Sequence, residues 1–363
     1  MKYDYLIVGA GFAGAVAAER LASQYNKKIL IVEKRSHIGG NAYDEFDEHG
    51  ILVHRYGPHI FHTNSKRVFD YISRFTEWRF YEHKVLAKLN GSSYPIPINR
   101  TTINKLYGKN FSSEKEVAEF YKNVREKRHP IKNSEDIIVN QVGYDLFEKF
   151  FKYYTKKQWD LDPSKLSASV CGRIPVRTND DDRYFTDKYQ FMPKDGYTKM
   201  FEKMLAHPNI EIKLNTDYKD IMNKVKFNKM IYTGPIDYFF DYKFGKLPYR
   251  SLKFEWENIK EEKFQSQSVI NYVDSSPKFI RITEYKYLSG QVCNSTSISK
   301  EYPIVKGDPY YPVPNEENHI KFNKYKNLAD RMKNVKFVGR LAEYKYFNMD
   351  QVVAECLKIF TTI

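Results

Sequence analysis

The chain has 363 residues, a length that predicts two or three structural units, each large enough for its own core. Hydrophobic residues make up 42% and the mean hydropathy is -0.64, and since no apolar run approaches the roughly 18 to 20 residues that span a bilayer, no integral membrane segment is expected. The formal charge of +14 indicates an anionic partner, but the lysines are spread along the chain and no nucleic-acid module is recognisable, so nucleic acid is not expected.

The cysteines and the amino terminus indicate a cytoplasmic protein. Cys171, Cys293 and Cys356 lie far apart without the spacing of a metal or redox site, so we expect reduced thiols. The first apolar segment is short and lacks a cleavage site, which argues against a signal peptide. The 30 Tyr and 25 Phe, many beside Arg or Lys, suit stacking on a base or sugar while cations hold phosphates.

The first sixty residues carry the pattern of a dinucleotide-binding βαβ unit. An apolar strand at 3–8 is followed at once by GAGFAG and an Ala-rich helix. Gly9 permits a tight turn, Gly11 lets backbone N–H groups approach a pyrophosphate, and Gly14 allows the helix to lie close to the strand. A second strand, KILIVEK, ends in Glu33, which can accept hydrogen bonds from a ribose diol.

The next stretch, EKRSHIGGNAYDE, favours FAD over NAD. Its second glycine pair, Gly39 and Gly40, lets the backbone pass close to a long flat cofactor, and Asn41 follows it. A contact of this kind is common in FAD proteins that resemble the glutathione-reductase and amine-oxidase groups. We therefore expect Gly39, Gly40 and Asn41 to contact the cofactor.

The remaining segments complete a predicted α/β fold. After residue 65 the periodicity is helical, and in SSEKEVAEFYKNVREKR a Ser-rich cap followed by acids predicts the start of a helix. The Pro-, Gly- and Asp-rich stretch around 160–183 is typical of a mobile lid loop. We predict a Rossmann-like FAD-binding domain with a helical insertion and an antiparallel β-sheet substrate domain. The predicted boundaries are 1–72, 188–238 and 312–363 for the discontinuous FAD-binding domain, 73–187 for the helical domain with its lid, and 239–311 for the sheet domain.

With these landmarks, the sequence resembles the UDP-galactopyranose mutase family of the bacterial type along nearly its whole length. The matching blocks occur in order with compatible spacing. They are GAGFAGAV, EKRSHIGGNAYDE, YGPHIFHT, YTKKQW, GRIPVR, DDRYF, GYTKMFEKML, YTGPIDYFFDYKFGKLPYRSLKFE, RITEYKY, DPYYPVP and GRLAEYKYFNMDQV.

The resemblance implies an isomerase that interconverts UDP-galactopyranose and UDP-galactofuranose for cell-surface polysaccharide, that is cell wall and capsule, biosynthesis. FAD would be active when reduced: its N5 would attack the anomeric carbon, expel UDP, and allow the ring to reclose through another hydroxyl before UDP returns. A reductant such as NAD(P)H and a homodimer are also implied.

The resemblance also assigns roles to individual residues. Arg173 and Arg281 match a pair that holds the diphosphate, and Arg173 would act from the lid. Arg340 matches an arginine at the cofactor, and Arg250 one near the sugar or flavin. The aromatic matches at the substrate are Phe150 and Tyr154 for uracil stacking, Trp159 on the lid, and Tyr184, Tyr311 and Tyr346 at the phosphates.

Three histidines fall within HRYGPHIFHT, residues 54–63. A metal site would need further ligands that are not evident, so none is expected, and a role in a core or cavity wall is the simplest alternative. The resemblance favours a third interpretation, in which Gly57 and Pro58 shape a turn that presses His59 and His62 against flavin and sugar. An imidazole there could donate to a flavin or sugar oxygen, while His54 would be structural.

One position departs from the family. The family commonly reads Tyr-x-Asp-Met in the last block, where this chain has Asn348, with an acid instead at Asp350. The exact geometry at the uridine is thus open.

Three alternative functions also stay open. Ring contraction of UDP-N-acetylgalactosamine is an alternative within the same reaction class. An amine-oxidase-like FAD oxidoreductase and a catalytically silent nucleotide-sugar binding protein are the alternatives from other classes.

Overall fold

The computed structural model describes residues 2–360. In chain order the strands are β1 (Lys2–Val8), β2 (Ile29–Val32), β3 (Asp44–Phe46), β4 (Leu52–His54), β5 (Phe61–Thr63), β6 (Trp78–Phe80), β7 (Val85–Leu89), β8 (Ser92–Ile96), β9 (Tyr189–Pro193), β10 (Ile210–Lys213), β11 (Lys226–Tyr232), β12 (Tyr249–Ile259), β13 (Val269–Tyr272), β14 (Arg281–Glu284), β15 (Thr296–Ile304), β16 (Tyr311–Pro312) and β17 (Val335–Phe337). The helices are α1 (Phe12–Tyr25), α2 (Lys66–Ile72), α3 (Arg100–Tyr107), α4 (Glu114–Val124), α5 (Ser134–Val142), α6 (Tyr144–Phe147), α7 (Tyr153–Trp159), α8 (Ser169–Gly172), α9 (Tyr197–Leu205), α10 (Tyr218–Ile221), α11 (Ile236–Phe239), α12 (Lys286–Ser289), α13 (Glu316–Ala329) and α14 (Met349–Phe360). Short 3-10 turns lie at Gly40–Ala42 and Pro163–Lys165, and a π-turn at Glu148–Lys152.

A five-stranded parallel sheet forms the centre of the first structural unit. Its order is β10-β2-β1-β11-β17, and every pairing in it is parallel. β2 reads ILIV and is buried throughout, as expected for a strand that is covered on both faces. The Ala-rich α1 is buried along most of its length and packs against α14. This arrangement confirms the predicted Rossmann-like unit.

A seven-stranded sheet forms the second unit, in the order β16-β12-β15-β14-β13-β7-β8. Its pairings are antiparallel except for the parallel pair β13 and β7. β7 and β8 come from 85–96, which the sequence assigned to the helical domain, so the sheet is larger than predicted and mixed. A hairpin signal was present there, since Asn90 and Gly91 both adopt positive φ, as in a type I′ turn.

Helices α3 to α8 pack into a second apolar core beneath β7 and β8. α4 begins with a capping box in which Ser113 and Glu116 bond each other's backbone N–H groups, which confirms the start predicted from Ser followed by acids. The mixed α/β class is as predicted, whereas the division into three domains with the stated boundaries stays a prediction. Within residues 2–360, no helix is long and apolar enough to cross a membrane.

Candidate functional site

The glycine turn after β1 brings the start of α1 against the chain at residue 40. Gly9 has a φ of +100°, and a Cβ on Gly14 would lie 1.9 Å from the Gly9 carbonyl oxygen, so only glycine permits this helix-to-strand approach. A Cβ on Gly40 would lie 2.9 Å from Cα of Gly11. No side chain caps α1, so its first N–H groups are available to an anion.

Glu33 lies where β2 ends, at the carboxyl edge of the parallel sheet. Its two carboxylate oxygens accept the backbone N–H groups of Ala10 and Arg35, each at 2.9 Å, and these bonds hold it beside the glycine turn. Arg35 donates to Oδ1 of Asn41 at 2.9 Å and pairs with Asp308 at 3.2 Å. Sequence reasoning missed Arg35, although it stands two residues after the acid.

These groups surround a cavity of about 990 Å³. That volume is at the upper end of the range for cofactor and ligand sites. Gly14 does not line the cavity, and its role is to let α1 pack close to β1. The other residues expected at the cofactor all line it, namely Gly9, Gly11, Glu33, Gly39, Gly40, Asn41, His59 and Arg340.

His54 and His59 are joined to each other and to the turn at Gly57. Nδ1 of His54 accepts the backbone N–H of His59 at 3.0 Å, and Nδ1 of His59 donates to the Gly57 carbonyl at 2.8 Å. Burial lowers the pKa of both imidazoles to about 3, so both are neutral. Nε2 of His59 is therefore an acceptor towards the cavity, where the sequence led us to expect a donor.

His62 is not among the residues that line the cavity. Its Nδ1 lies 2.9 Å from Oδ2 of Asp187, and its ring stacks on Phe185 with 3.6 Å between centroids. His59 and His62 thus bond different neighbours, and their expected joint contact with flavin and sugar stays a prediction. His62 lies within β5 and bonds Asp187, whereas His59 precedes the strand and bonds the Gly57 carbonyl. No group of three His, Cys, Asp or Glu side chains among residues 2–360 is arranged to hold a metal ion.

Two arginines and two tyrosines meet beside the cavity. The rings of Tyr311 and Tyr346 stack with centroids 5.3 Å apart, and the Arg340 guanidinium lies 5.7 Å from each. The Arg173 guanidinium lies 4.4 Å from the Tyr346 ring, and Trp159 packs 6.2 Å from the same ring. Burial raises the pKa of Tyr346, but the positive charges of Arg173 and Arg340 outweigh it, so the net shift is downward.

Arg281 brings a third guanidinium to the group of Arg173, Arg340, Tyr311 and Tyr346, which we call the guanidinium cleft. Its Nη2 donates to the hydroxyl of Tyr154 at 2.7 Å, and its Nε lies 3.6 Å from Oε1 of Glu301, its register partner across β14 and β15. Burial raises the pKa of the Glu301 carboxyl, while Arg281 opposes that shift. Glu301 was not predicted, because its place under the cleft depends on strand pairing.

Two other expected substrate residues, Arg250 and Phe150, make mainly protein contacts. Nε of Arg250 donates to the carbonyl of Gln158 at 2.9 Å, at the end of α7, and only 5% of the residue is exposed. Phe150 is buried and packs edge-on against Tyr94. In these contacts Arg250 caps the end of α7 and Phe150 is part of the apolar core.

Tyr184 and Asn348 lie at the margins of the cleft. The backbone N–H of Tyr184 donates to the His83 carbonyl at 2.7 Å, and the Tyr184 ring packs edge-on against Phe185. Asn348 is exposed just before α14, where its backbone N–H donates to Oε1 of Gln351 at 2.9 Å. Asp350 is half-buried, and burial raises the pKa of its carboxyl.

The cleft has an excess of positive charge. Arg173, Arg281 and Arg340 meet there, and the buried carboxylate beside them is that of Glu301. Nearby tyrosine hydroxyls can donate hydrogen bonds without adding charge. Such a set suits a doubly charged diphosphate, and the adjoining cavity suits a dinucleotide.

Comparison with known proteins gives a consistent result. A family model described as UDP-galactopyranose mutase matches residues 149–346, and one described as an NAD(P)-binding Rossmann-like domain matches residues 7–75. A probable UDP-galactopyranose mutase of Klebsiella pneumoniae is 40% identical, over 98% of this chain and 93% of the relative. A dTDP-fucopyranose mutase of Escherichia coli is 38% identical, over 97% of this chain and 96% of the relative.

The fold has a close counterpart among solved structures. A crystal structure of reduced UDP-galactopyranose mutase superimposes with a TM-score of 0.81, at 17% identity, over 99% of this chain and 93% of the other. At that identity the likeness concerns the fold.

Proposed function

The chain belongs to the UDP-galactopyranose mutase family, and we propose that it interconverts the pyranose and furanose forms of a nucleoside-diphosphate hexose, with UDP-galactose as the first candidate. The observation that carries this proposal is the meeting of three guanidinium groups beside the dinucleotide cavity. A diphosphate that leaves the sugar and returns needs fixed positive charge throughout. Each charge-assisted contact contributes about 1.5 to 3 kcal/mol.

FAD is the proposed cofactor, and the residues of the cavity fit it. The glycine turn leaves room for backbone to approach a pyrophosphate, Glu33 faces the ribose position, and the cavity of about 990 Å³ can enclose a long molecule. When bound and reduced, FAD supplies a nucleophilic nitrogen towards the anomeric carbon of the sugar.

The residues of the chain would bind, orient and shield the reactants. Arg281, fixed by Tyr154, and Arg173, from the loop at 160–183, would hold the diphosphate from two sides. Arg340 lines the cavity and also contacts Tyr346, so it would link cofactor and diphosphate. His59 would accept a hydrogen bond at Nε2 from a cofactor or sugar donor.

The remaining predicted substrate contacts are part of the same proposal. Phe150 and Tyr154 would contact the base, and Trp159, Tyr184, Tyr311 and Tyr346 the rest of the nucleotide. Arg250 would hold the end of α7, which carries Tyr154 and Trp159, through its bond to Gln158. His62 would act indirectly, by anchoring 185–187 beside Tyr184.

The identity of the nucleotide sugar needs direct comparison, because a relative at 38% identity is named a dTDP-fucopyranose mutase. UDP-galactose and dTDP-fucose differ by a methyl group on the base, the 2′-hydroxyl of the nucleotide ribose and the 6-hydroxyl of the hexose. A hydrophobic pocket discriminates a single methyl group by only about 1 to 3 kcal/mol. In the arrangement that the family resemblance implies, Asn348 in place of the family Asp would lower the negative charge near the diphosphate. We propose UDP-galactose first, with dTDP-fucose and UDP-N-acetylgalactosamine as the other candidates.

The test is ring interconversion by purified protein reduced with dithionite. UDP-galactofuranose, dTDP-fucofuranose and UDP-N-acetylgalactosamine are incubated in parallel and the products are separated by HPLC. Pyranose product from the first, with no stoichiometric consumption of reductant, is expected. Equal rates with oxidised and reduced protein would refute the proposed chemistry, and coupled NAD(P)H or oxygen consumption would favour the amine-oxidase-like oxidoreductase.

We further propose the other features that the family resemblance implies. They are a cytoplasmic homodimer, a reductant such as NAD(P)H, and a place in cell-surface polysaccharide biosynthesis. Binding of UDP-sugar without product, even after reduction, would favour a silent binding protein instead.

A further inference from the structure

Exposed lysines gather at the amino edge of the parallel sheet, opposite the edge that carries the cofactor cavity. Parallel strands begin at one edge, so residues that are far apart in sequence meet there. We define the basic edge by six exposed residues. They are Lys2, Lys28, Lys224, Lys226, Lys229 and Lys333.

The register brings these charges close together. Lys2 and Lys226 are direct partners in the pairing of β1 with β11, and Lys28 precedes β2 on the other side of β1. Neighbouring strands lie about 4.8 Å apart, so like charges stand side by side, an arrangement that is unfavourable without a counter-charge.

The chain supplies little counter-charge at this edge. Elsewhere many lysines are paired, as Lys326 is with Asp330 at 2.5 Å, but no lysine of the basic edge forms an ion pair within residues 2–360. The nearby Asp4 accepts the backbone N–H of residue 28 at 2.9 Å, and Glu211 accepts the hydroxyl of Tyr3. Lys28 also follows α1, where it can complement the helix dipole, but this accounts for only one of the six.

We propose that the basic edge docks the protein on the surface of an anionic lipid bilayer. Lysine ammonium groups are compact hydrated charges that attract anionic headgroups without requiring a defined geometry. Nucleic-acid surfaces usually add arginine forks and aromatic stacking, which these six positions lack.

Docking in this orientation leaves the functional site accessible. The cofactor cavity lies at the carboxyl edge, so a membrane at the amino edge does not block entry of a nucleotide sugar. Binding is expected to weaken as salt rises, since screening shortens the reach of the lysine charges.

The test is co-sedimentation of the full chain with vesicles of phosphatidylglycerol and phosphatidylcholine, against phosphatidylcholine alone. Binding to the anionic vesicles at 50 mM NaCl and its loss at 500 mM NaCl are expected. Substitution of Lys28, Lys224, Lys226 and Lys333 by Gln should lower the partition coefficient at least tenfold. The control variant removes the same charge by Gln substitution of exposed lysines outside the edge, Lys109, Lys115, Lys132 and Lys263.

The control should lower the partition coefficient less than twofold. An equal loss in both variants would show that net charge alone acts and would overturn the proposal, as would absence of vesicle binding at low salt. Preferential binding to duplex DNA, measured by competition, would also overturn it. Vesicle binding does not depend on catalysis, so failure of the mutase assay and failure of docking are distinguishable.

Discussion

The cofactor cradle and the guanidinium cleft are neighbours, but they are assembled in different ways. The cradle uses residues 9–41, which are contiguous in the chain and interact across one βαβ unit. The cleft gathers Tyr154, Arg173, Arg281 and Tyr346 from separate helices, loops and strands. A local site depends on backbone geometry, whereas the cleft depends on contacts that hold distant segments in register.

The largest expected effect is on the cleft. Arg173→Ala and Arg281→Ala should each lower kcat about 100-fold, because a lost charge-assisted contact costs up to about 3 kcal/mol. Both variants should stay folded and yellow, since neither residue belongs to the cradle. Turnover is measured by HPLC and cofactor content by absorbance, and near-normal kcat for Arg173→Ala would remove the loop from the proposed function.

The cradle should be broken by a single methyl group. A Cβ at Gly14 would lie 1.9 Å from the Gly9 carbonyl, so Gly14→Ala should lower the free energy of unfolding by about 2 kcal/mol and reduce bound cofactor. Denaturant unfolding and flavin content measure both effects. The matched variant is Gly11→Ala, whose Cβ would meet Gly40 at an ordinary 3.6 Å and should keep the stability near that of the parent chain. Equal stability of both variants would contradict this account of the turn.

A smaller effect is expected at Lys157, which ties two segments of the cleft together. Its Nζ donates to three carbonyl groups between residues 272 and 279, at 2.8, 3.0 and 3.3 Å, and it stands one turn after Tyr154. Lys157→Met should misplace Tyr154 relative to Arg281 and lower kcat/KM roughly tenfold, or about 1.4 kcal/mol.

The conservative variant Lys157→Arg separates positioning from stability. It can still donate to carbonyl groups, so partial recovery of kcat/KM is expected. A change in melting temperature with unchanged kinetic constants would instead assign Lys157 a purely structural role.

The smallest predicted effect is the loss of stability as the pH falls. It is expected from two buried histidines, one near the cradle and one near the cleft. Burial lowers the pKa of His54, below the cradle, and of His83, beside the cleft, to about 3 in the folded state, against about 6.5 unfolded. The unfolded chain therefore binds more protons between these values, and stability present above pH 6.5 is lost as the pH falls. Each histidine should lower the free energy of unfolding by roughly 1 kcal/mol when the pH falls from 7.5 to 5.5.

Denaturant titrations at the two pH values provide the measurement. His83→Gln has no such proton to bind, so it should show a smaller decrease than the parent chain. An identical decrease in both would mean that His83 is protonated in the folded state or that other groups dominate.

Prediction from sequence succeeded where structure is local. The glycine turn, Glu33, α1 and the capping box of α4 all follow from spacing and from backbone conformations that only certain residues adopt. It failed where pairing is distant: β7 and β8 were assigned to the helical domain, and the role of Asn90 and Gly91 as a hairpin turn was missed. The roles assigned to the site residues stay predictions.

A dinucleotide-binding unit in the first sixty residues and a strongly basic character could both be read from the sequence, because they are properties of a short segment and of composition. Three other features became visible only in the folded chain. Glu301 lies beside Arg281, His62 bonds Asp187 and does not line the cavity with His59, and scattered lysines form one edge. These features depend on strand register and side-chain direction, which follow from packing of the whole chain, where burial and charge select each contact among distant segments.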